Sequence, residues 1–491
     1  MYDLFIIGGG INGCGIAADA AERGLKTGLA EMNDLASATS GGSSKLIHGG
    51  LRYLEHYEFS LVRKALSERE ILLNKAPHLI KPMRFRIPLS PLLRPAWMIR
   101  IGLYLYDHLA KRSVLPGSTS VAFDAESPLK PQYKQGFEYS DAHTDDGRLV
   151  LANALQAKAC GADIHTYTRC IDVKRHTGYW TLTLESQDSQ ERIIVKTKTL
   201  VNATGPWCSD LFGSVLPMKA PKLIRKVKGS HIVVPALTNK PYAYLMQNDD
   251  KRVVFVIPYL GEFSLIGTTD VDYPGEPSKV AIDDSEIDYL LDVTNRYFKQ
   301  SIRKDDILQT YSAVRPLMDE EIENPQAVTR DYHLEVTKDR DLAPLVSVFG
   351  GKLTTYRLLA LGVMKALKPY FPDLKESQTA TSVLPGGMPY SWQQAQLDFE
   401  WMPLDALKTL HARHGSRVPN VLEGAQTVAD LGTDFGHGLY EQEIDFMMDE
   451  EWAMTAEDIL HRRTHAAYHL DAKQQQAVAD YVKLRLSISA A

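Results

Sequence analysis

A short stretch near the start of the chain, SSKLIHGGLRYLE at 43–55, places several chemically capable side chains together. Within eight positions, from Lys45 to Arg52, it holds a lysine, a histidine, two adjacent glycines and an arginine. Arginine can bind a phosphate through two parallel hydrogen bonds, and the ordinary pKa of a histidine such as His48 lies near working pH. The stretch therefore predicts contact with an anionic ligand beside a group that can take up a proton.

The elements that must position this stretch begin at the N-terminus of the chain. The sequence predicts a buried strand from Leu4 to Ile7, a helix from about Asn12 to Arg23 and a second strand that ends at Glu31. A glycine turn joins the first strand to the helix, so the free N–H groups at the start of the helix face that turn. Such a βαβ unit can hold a phosphate at the helix N-terminus.

The glycines of the turn match a dinucleotide-binding motif. Gly8, Gly10 and Gly13 form GxGxxG, which allows a tight turn, close approach of the backbone to a pyrophosphate, and close packing of helix on strand. Glu31 lies 18 residues after Gly13 and is placed to accept hydrogen bonds from a ribose diol. Cys14 lies among small residues and is expected to pack rather than react. The motif predicts dinucleotide binding but does not choose between NAD and FAD.

Three segments that end in small or glycine-rich turns favour FAD. The segment after the βαβ unit is rich in Ser, Thr and Gly, where an NAD domain would continue into further βα units. Strands predicted at Leu200–Asn202 and Leu345–Phe349 end in ATG and GGK, and one long cofactor gripped by distant parts of the chain fits these turns. The helix opened by Thr354 offers positive potential to a reduced flavin. The predicted cofactor contacts are Gly8, Gly10, Asn12, Gly13, Glu31, Thr39, Ser40, Ser43, Ser44, Lys45, Gly49, Gly50, Ala203, Gly205, Gly350, Gly351, Lys352, Leu353 and Thr354.

The composition of the whole chain excludes several other classes. Its 491 residues suffice for two or three domains, and a formal net charge of −6 argues against a nucleic-acid partner. The four cysteines show no CxxC spacing, which favours a reduced compartment and no thiolate metal site. No window offers roughly 20 lipid-compatible residues and the first residues lack a basic leader, so we expect a cytoplasmic protein without a membrane span.

Eight segments, in order along the chain, resemble the FAD-dependent glycerol-3-phosphate dehydrogenases. They are IIGGGINGCGIAADAAERGL, SSKLIHGGLRYLEHYEFSLV, NATGPW, KGSHIVVP, IGTTD, YSAVRPL, TRDYHLE and SVFGGKLTTYR, and the likeness continues through the C-terminal region. It implies a mixed α/β fold with a glutathione-reductase-like, Rossmann-type FAD-binding domain, an antiparallel-sheet substrate domain and a small all-α C-terminal domain. The implied boundaries are 1–50, 140–210 and 340–375 for the FAD domain, 51–139 and 211–339 for the substrate domain, and 385–491 for the helical domain.

The same resemblance implies a pocket for a phosphorylated polyol. The implied substrate contacts are Arg52, Tyr53, Thr268, Arg315, Arg330 and Lys352, and the implied catalytic residues are His48, Arg315 and Lys352. Taken singly, each arginine could equally be a surface ion-pair partner, Lys352 a solvated lysine at a helix start, and Tyr53 or Thr268 a packing residue.

His48 keeps three interpretations. It could be the general base for the C2 hydroxyl, a histidine that only packs, or a covalent link to the flavin as in some related amine oxidases. Neighbouring cations would lower its pKa and keep it neutral, and Arg315 could stabilise a developing alkoxide. FAD is expected to be bound without a covalent link.

The segment 84–112 is basic and amphipathic. It carries six Lys or Arg against one acid, Asp107, in a chain that is net acidic. A helix that begins at Ala96 would have a broad apolar face and tyrosines suited to an interface. The residues concerned are Trp97, Ile101, Leu105 and Leu109 on the face, with Tyr104 and Tyr106 as the tyrosines. The pattern is typical of a helix on an anionic bilayer surface, and the alternative is an ordinary helix docked on the protein core.

Beyond a predicted linker at 382–392, helical patterns indicate a small all-α domain. Helices are expected at about 391–414, 441–449, 455–461 and 472–486. The histidines of this part, at 411, 414, 437, 461, 465 and 469, lack an HExxH or convergent carboxylate pattern. They are therefore expected to be solvated, and no metal is expected.

The resemblance implies an enzyme that oxidises sn-glycerol 3-phosphate to dihydroxyacetone phosphate by hydride transfer to FAD and passes electrons to ubiquinone or menaquinone. It would lie as a peripheral or monotopic protein on the cytoplasmic face of the inner membrane, in contact with lipid. The sequence does not set the oligomeric state, and a homodimer is one candidate assembly. The alternatives are a glycerophosphate, amine or amino-acid oxidase of the same fold that uses oxygen, and a non-catalytic FAD-binding protein.

Overall fold

A computed structural model describes residues 1–90, 93–250, 252–318, 331–337 and 342–489. Over these residues the strands are β1 (Tyr2–Ile7), β2 (Thr27–Ala30), β3 (Leu46–Ile47), β4 (Ile80–Pro88), β5 (Thr119–Ala122), β6 (Gln135–Thr144), β7 (Asp163–His165), β8 (Thr168–Arg175), β9 (Trp180–Ser186), β10 (Arg192–Asn202), β11 (Ile224–Pro235), β12 (Tyr242–Gln247), β13 (Val253–Tyr259), β14 (Phe263–Gly267), β15 (Val271–Asp272), β16 (Gln309–Met318), β17 (His333–Thr337) and β18 (Leu345–Phe349). The helices are α1 (Ile11–Glu22), α2 (Phe59–Lys75), α3 (Ala96–His108), α4 (Asp146–Ala159), α5 (Asp284–Tyr297), α6 (Tyr356–Leu367), α7 (Trp392–Asp398), α8 (Leu404–His414), α9 (Val418–Val421), α10 (Glu441–Glu450) and α11 (Ala472–Ser489). The predicted mixed α/β fold class is confirmed.

One sheet is built around the N-terminal βαβ unit. Strands β18, β10, β1, β2 and β7 run parallel in that order, β17 is antiparallel at one edge, and β9 joins β8 to β10. Helix α1 packs on this sheet and against α4 and α6. Because helices cover the parallel strands, the last four residues of β1 form a buried apolar run. The carboxyl ends of β1, β10 and β18 meet at one edge, where ligands of such sheets usually bind.

The second sheet is mostly antiparallel and is covered on both faces. Its order is β15-β11-β14-β13-β12-β4-β6-β3, with β16 paired to β11 and β5 to β6. Alternate residues of β11 enter two apolar clusters: Ile232 and Val234 pack with Leu290 of α5, whereas Val233 packs with Leu103 of α3. Since side chains alternate along a strand, α5 covers one face and α3 the other.

Helices α7 to α11 form the C-terminal part, which has its own apolar clusters. The predicted helical character is confirmed, but the pattern at 391–414 forms two helices, because Pro403 lacks the N–H that a helix interior needs and lies at the start of α8. The predicted linker at 382–392 is partly packed. Leu384 is fully buried within it, and its N–H donates to the carbonyl oxygen of Lys75 at 2.9 Å.

The prediction that the C-terminal histidines are solvated is wrong for two of them. His414 is fully buried, and its Nε2 lies 2.9 Å from Glu443. His465 is 8% exposed, and its Nε2 lies 3.0 Å from Asp145 in the loop before α4. A buried ring nitrogen needs such a partner because it has lost water. In the part of the chain that the structure describes, no group of three or more potential metal ligands converges.

Candidate active site

A cavity of about 1010 Å³ lies at the carboxyl ends of β1, β10 and β18 and is walled on its other side by strands of the second sheet. Most of the predicted site residues line it. They are Gly8, Gly10, Asn12, Glu31, Thr39, Ser40, Ser43, Ser44, His48, Gly50, Arg52, Tyr53, Ala203, Gly205, Thr268, Arg315, Gly350, Gly351, Lys352, Leu353 and Thr354. Gly13, Lys45 and Gly49 do not line the cavity, and Arg330 lies outside the described residues.

The glycine turn after β1 is closed by contacts that leave no room for a side chain. Gly8 has φ +114°, and a Cβ there would lie 2.5 Å from the carbonyl oxygen of Ala203. A Cβ on Gly13 would lie 1.9 Å from the carbonyl oxygen of Gly8, so Gly13 serves the packing of α1 on its strand. At the start of α1, the N–H of Ile11 donates to Ser40 Oγ at 2.9 Å. Gly8 and Gly10 therefore present backbone, without a side chain, to the cavity.

Glu31 follows β2 and is held in place by backbone donors. Its Oε2 accepts from the N–H of Gly9 at 2.6 Å, and its Oε1 accepts from the N–H of Asn33 at 2.9 Å. Burial raises the pKa of this carboxyl, while the backbone hydrogen bonds oppose that rise. The oriented carboxyl group lines the cavity, and it is the group that would accept hydrogen bonds from a ribose diol.

The wall formed by Asn12 and the turn after β18 fits the flavin end of FAD. The Asn12 side-chain nitrogen donates to the carbonyl oxygen of Gly350 at 3.2 Å, but its buried side-chain oxygen has no hydrogen-bond partner among the described residues. Gly351 has φ +106°, and a Cβ there would lie 2.8 Å from Asn12. The backbone beside this oxygen carries no side chain at Gly351. A hydrogen-bond donor of a ligand would therefore satisfy the buried oxygen.

The serine-rich segment 39–44, called the cradle below, is held in place by Asp146 at the start of α4. Its Oδ2 accepts from the N–H and Oγ of Ser43 at 3.1 and 2.7 Å, and its Oδ1 pairs with Lys45 Nζ at 2.6 Å. Lys45 is buried and its charge is directed at Asp146, not at the cavity. The lysine therefore supports the cradle without lining it.

The turn that carries His48 lies against the segment after β18. The N–H of His48 donates to Thr354 Oγ1 at 3.3 Å. Burial first, and then the charges of Lys352 and Arg69, lower the pKa of His48 to about 3. The imidazole is therefore neutral at working pH, as the sequence predicted from neighbouring cations, with burial as the larger cause.

Two arginines converge on Asp270 at the other end of the cavity. Arg315 pairs through Nη1 with Asp270 and donates through Nη2 to Thr268 Oγ1 at 2.9 Å. Arg52 Nη1 lies 3.9 Å from the second oxygen of Asp270. Arg52 lies more than 200 residues before the other three in the chain. They form a cationic cluster with one internal carboxylate.

Lys352 extends the cationic cluster. Its Nζ lies 3.8 Å from the ring centroid of Tyr53, a cation–π contact that fixes both side chains at the cavity wall. The structure thus brings together the predicted substrate residues that it describes, namely Arg52, Tyr53, Thr268, Arg315 and Lys352.

Asp270 and His231 are among the cavity-lining residues that were not predicted from the sequence. Asp270 ends the quoted segment IGTTD, and His231 lies in KGSHIVVP. The His231 ring stacks on Tyr311 at 4.8 Å, and its Nε2 lies 2.9 Å from Ser44 Oγ. Burial and nearby cations lower the pKa of His231 to about 3. The motifs themselves were the signal, but a motif does not show which of its side chains turn inward.

Helix α3 carries apolar side chains on its outer face. Trp97, Ile101 and Tyr104 are 64%, 54% and 63% exposed. Leu105, predicted on the same face, is half-buried, and the prediction that Tyr106 suits an interface is wrong because it lies on the inner face and is 2% exposed. Across the described ranges, no helix combines the length and the apolar character that a bilayer crossing needs.

Acids from elsewhere partly neutralise the basic segment around α3. Arg84 and Arg86 both pair with Glu138, at 2.8 and 2.7 Å. Arg94 pairs with Glu55. The excess positive charge of this surface is therefore smaller than the composition of the segment predicts.

Comparison with known sequences identifies the family. The model of a family described as FAD dependent oxidoreductase matches residues 3–336, and a second, described as the C-terminal domain of alpha-glycerophosphate oxidase, matches residues 377–490. The aerobic glycerol-3-phosphate dehydrogenase of Escherichia coli (strain K12) is 52% identical over 99% of this chain and 99% of its own. The D-erythritol 1-phosphate dehydrogenase of Brucella abortus (strain 2308) is 46% identical over 98% of this chain and 97% of its own.

Solved structures agree with this assignment. The glycerol-3-phosphate dehydrogenase from Bacillus halodurans complexed with FAD matches with a TM-score of 0.75 and 25% identity, covering 99% of this chain and 94% of that chain. The L-alpha-glycerophosphate oxidase from Mycoplasma pneumoniae shares the fold, with a TM-score of 0.58 and 17% identity over 75% of this chain and 94% of that chain. The predicted FAD cofactor is confirmed by the family. The chain belongs to the FAD-dependent glycerol-3-phosphate dehydrogenases.

Proposed function

We propose that the protein oxidises sn-glycerol 3-phosphate at C2 to dihydroxyacetone phosphate. One observation carries the proposal: Arg52 and Arg315 converge on Asp270 in the same cavity as the FAD-binding glycine turns. Together with Lys352, these cations suit a phosphate dianion, whereas an amino-acid oxidase needs a single arginine for a carboxylate. Relatives named glycerol-3-phosphate dehydrogenase, at 52% and 50% identity, support this substrate.

Asp270 acts as the counter-ion of Arg52 and Arg315, the cations that would hold the phosphate. It keeps two guanidinium groups close together by offsetting their mutual repulsion. The two guanidinium groups are therefore already close together when a phosphate dianion binds, which lowers the conformational entropy lost on binding. The role of Arg330 as a third phosphate donor stays a prediction from the resemblance.

Oxidation at C2 removes a hydride from the carbon and a proton from its hydroxyl, and different groups accept the two. Bound FAD would supply the acceptor for the C2 hydride, and the glycine turns after β1 and β18 together with Glu31 would hold it. The proton of the C2 hydroxyl goes to neutral His48, because the guanidinium of Arg315 keeps its protons and instead stabilises the developing alkoxide. The negative charge of a bound phosphate raises the pKa of His48 from its low value in the free site, which makes it a better base.

The electron acceptor is a membrane quinone, ubiquinone or menaquinone, and the protein lies on the cytoplasmic face of the inner membrane as a peripheral or monotopic protein. The exposed Trp97, Ile101 and Tyr104 of α3 support this placement, since aromatic and aliphatic side chains of this kind insert at the headgroup boundary. A lipid-soluble acceptor requires an enzyme at the lipid surface. A homodimer stays a prediction.

Anaerobic titration of the flavin tests the substrate. We expect glycerol 3-phosphate to bleach the visible flavin absorbance, with D-erythritol 1-phosphate less effective and glycine without effect. Bleaching by an amino acid and not by glycerol 3-phosphate would favour an amino-acid oxidase, and no bleaching by any of them would favour a non-catalytic FAD-binding protein. Reoxidation by a quinone analogue without peroxide supports the quinone acceptor, whereas rapid reoxidation by oxygen with peroxide contradicts it.

A further inference from the structure

Three buried polar side chains meet directly behind the turn that carries His48. Tyr106 comes from α3, Asp141 from β6 and Arg69 from α2, and each is 2% exposed. The Tyr106 hydroxyl lies 2.8 and 2.7 Å from the two oxygens of Asp141, and Arg69 Nη1 donates to Asp141 Oδ1 at 2.7 Å. None of the three lines the cavity.

This triad ends on the backbone of the His48 turn. The N–H of Gly49 donates to the Tyr106 hydroxyl oxygen at 2.8 Å. Because that hydroxyl gives its own proton to Asp141, its lone pair is free to face Gly49. We propose that Tyr106, Asp141 and Arg69 are positioning residues that hold the His48–Gly50 turn, and with it His48, in register with the substrate.

The packing around Gly49 shows how close this support is. A Cβ on Gly49 would lie 2.7 Å from the Tyr106 hydroxyl and 2.5 Å from Leu66, so the turn rests directly on the hydroxyl. On the other side, His48 donates to Thr354 at 3.3 Å, a longer hydrogen bond. The turn is therefore held on both sides, and its shortest contact is the one to Tyr106, since the N–H of Gly49 also lies 3.4 Å from Asp141 Oδ1.

Core packing alone does not account for this arrangement. A phenylalanine would fill the volume of Tyr106, and apolar residues can often replace a buried ion pair such as Arg69–Asp141 at little cost in stability. A carboxylate held by a guanidinium instead gives the tyrosine hydroxyl one fixed orientation. Orientation matters at this turn because a small displacement of a reacting group costs far more in rate than in folding stability.

The test is Tyr106→Phe in the FAD-loaded enzyme, and it rests on the proposed oxidation of glycerol 3-phosphate. In anaerobic stopped-flow experiments we expect the limiting rate of flavin bleaching to fall on the order of tenfold or more. The concentration for half-maximal rate should change little, because the phosphate cations are untouched. The matched control is Tyr104→Phe on the same helix, whose side chain is 63% exposed, and it should keep the wild-type rate.

A second variant keeps the inference falsifiable. Asp141→Asn should lower the same limiting rate, and the double variant should be no slower than the slower single variant, since all act through the bond to Gly49. A wild-type limiting rate in Tyr106→Phe, a change confined to the half-maximal concentration, or additive losses in the double variant would overturn the inference. Failure of the wild-type enzyme itself to bleach would instead overturn the proposed function.

Discussion

Single residues set the charge balance around Asp270 in the cavity. Arg315 contacts both Asp270 and Thr268, so its guanidinium is oriented before any substrate arrives. A donor that is oriented in advance stabilises negative charge in the transition state without reorganisation. Arg315 is therefore the residue whose loss should affect the reaction most directly.

Arg315→Ala should lower kcat/KM for glycerol 3-phosphate by roughly 10²–10³-fold, the usual effect of removing one such donor. Asp270 would then face the phosphate with less positive charge around it. Dye-linked turnover measures the rate, and flavin absorbance after gel filtration should show that FAD stays bound. Arg192→Ala is the control, since Arg192 pairs with Glu185 on an exposed surface. Near-normal turnover in Arg315→Ala would remove this residue from the substrate site.

At the scale of elements, α3 has two faces with different tasks. Its inner face carries Leu103 and Tyr106 into the second sheet, next to the His48 turn. Its outer face carries Trp97 and Ile101 into solvent. The outer face can therefore be altered without touching the cavity.

Replacing Trp97 and Ile101 by serine should release the protein from liposomes that contain anionic lipid, because the double change removes the exposed apolar area that would enter the headgroup boundary. Cosedimentation measures binding, and dye-linked activity in solution should be retained. Leu484→Ser with Ile488→Ser is the matched control, since these are exposed apolar residues of α11. Equal retention of both variants on liposomes would contradict the placement of α3 at the membrane.

The elements that could be predicted from the sequence are those with local signals. The strand, glycine turn and helix between Leu4 and Arg23 follow from spacing within one short segment, and the structure gives β1 and α1 within one or two residues of the predicted bounds. Tyr106 was misplaced because its partner Asp141 lies 35 positions away on another strand. Helical periodicity predicts which side chains share a face of a helix, but it does not predict which polar groups of other elements pack against that face.

The site also combines features with local sequence signals and contacts between distant segments. The glycine turns depend on local spacing, so the sequence predicts them, and most of the predicted cofactor contacts line the cavity. The link from Arg315 to Asp270 spans 45 positions and depends on how β16 lies beside β11 in the second sheet. Only the family resemblance, and not spacing, could bring Arg52 into the same cluster.

At the scale of the whole molecule, buried histidines couple stability to pH. Burial is the main cause that lowers the pKa of His48, His78 and His231 to about 3 and of His143 to about 4. An unfolded chain binds protons at these rings near pH 6.5, whereas the native state does not. Below that pH the unfolded state therefore binds more protons, and the free energy of unfolding falls as pH drops toward 4.

The matching experiment follows the urea midpoint of the FAD-loaded protein from pH 7.5 to pH 4.5. We expect the midpoint to fall with acidification. His143→Gln should make the free energy of unfolding less dependent on pH, by up to about 1.4 kcal/mol per pH unit, the contribution of one proton. The raised pKa values of Glu31 and Glu68 act in the opposite direction, so the difference between variant and wild type isolates the imidazole. Identical pH dependence in the two proteins would contradict this account.

Helix α4 joins the C-terminal part to the cradle. Arg148 of α4 donates to both oxygens of Glu451 at 3.0 Å, and Arg417 donates to the same carboxylate at 2.6 Å. Two residues before Arg148, at the start of α4, Asp146 fixes Ser43 of the cradle. The network around Glu451 therefore secures the C-terminal helices to the helix that supports the FAD site.

Glu451→Gln should destabilise the protein by about 3–5 kcal/mol, because it leaves the buried guanidinium group of Arg148 without its paired carboxylate and removes the carboxylate that pairs with half-buried Arg417. Urea unfolding measures the loss. The rate of flavin bleaching per bound FAD should stay near wild type, since none of these side chains lines the cavity. The neighbouring Glu450 provides the control: its pair with Lys158 is about half exposed on both sides, so Glu450→Gln should change stability by no more than about 0.5 kcal/mol. Equal effects of the two substitutions would mean that the buried network does not join the C-terminal helices to α4.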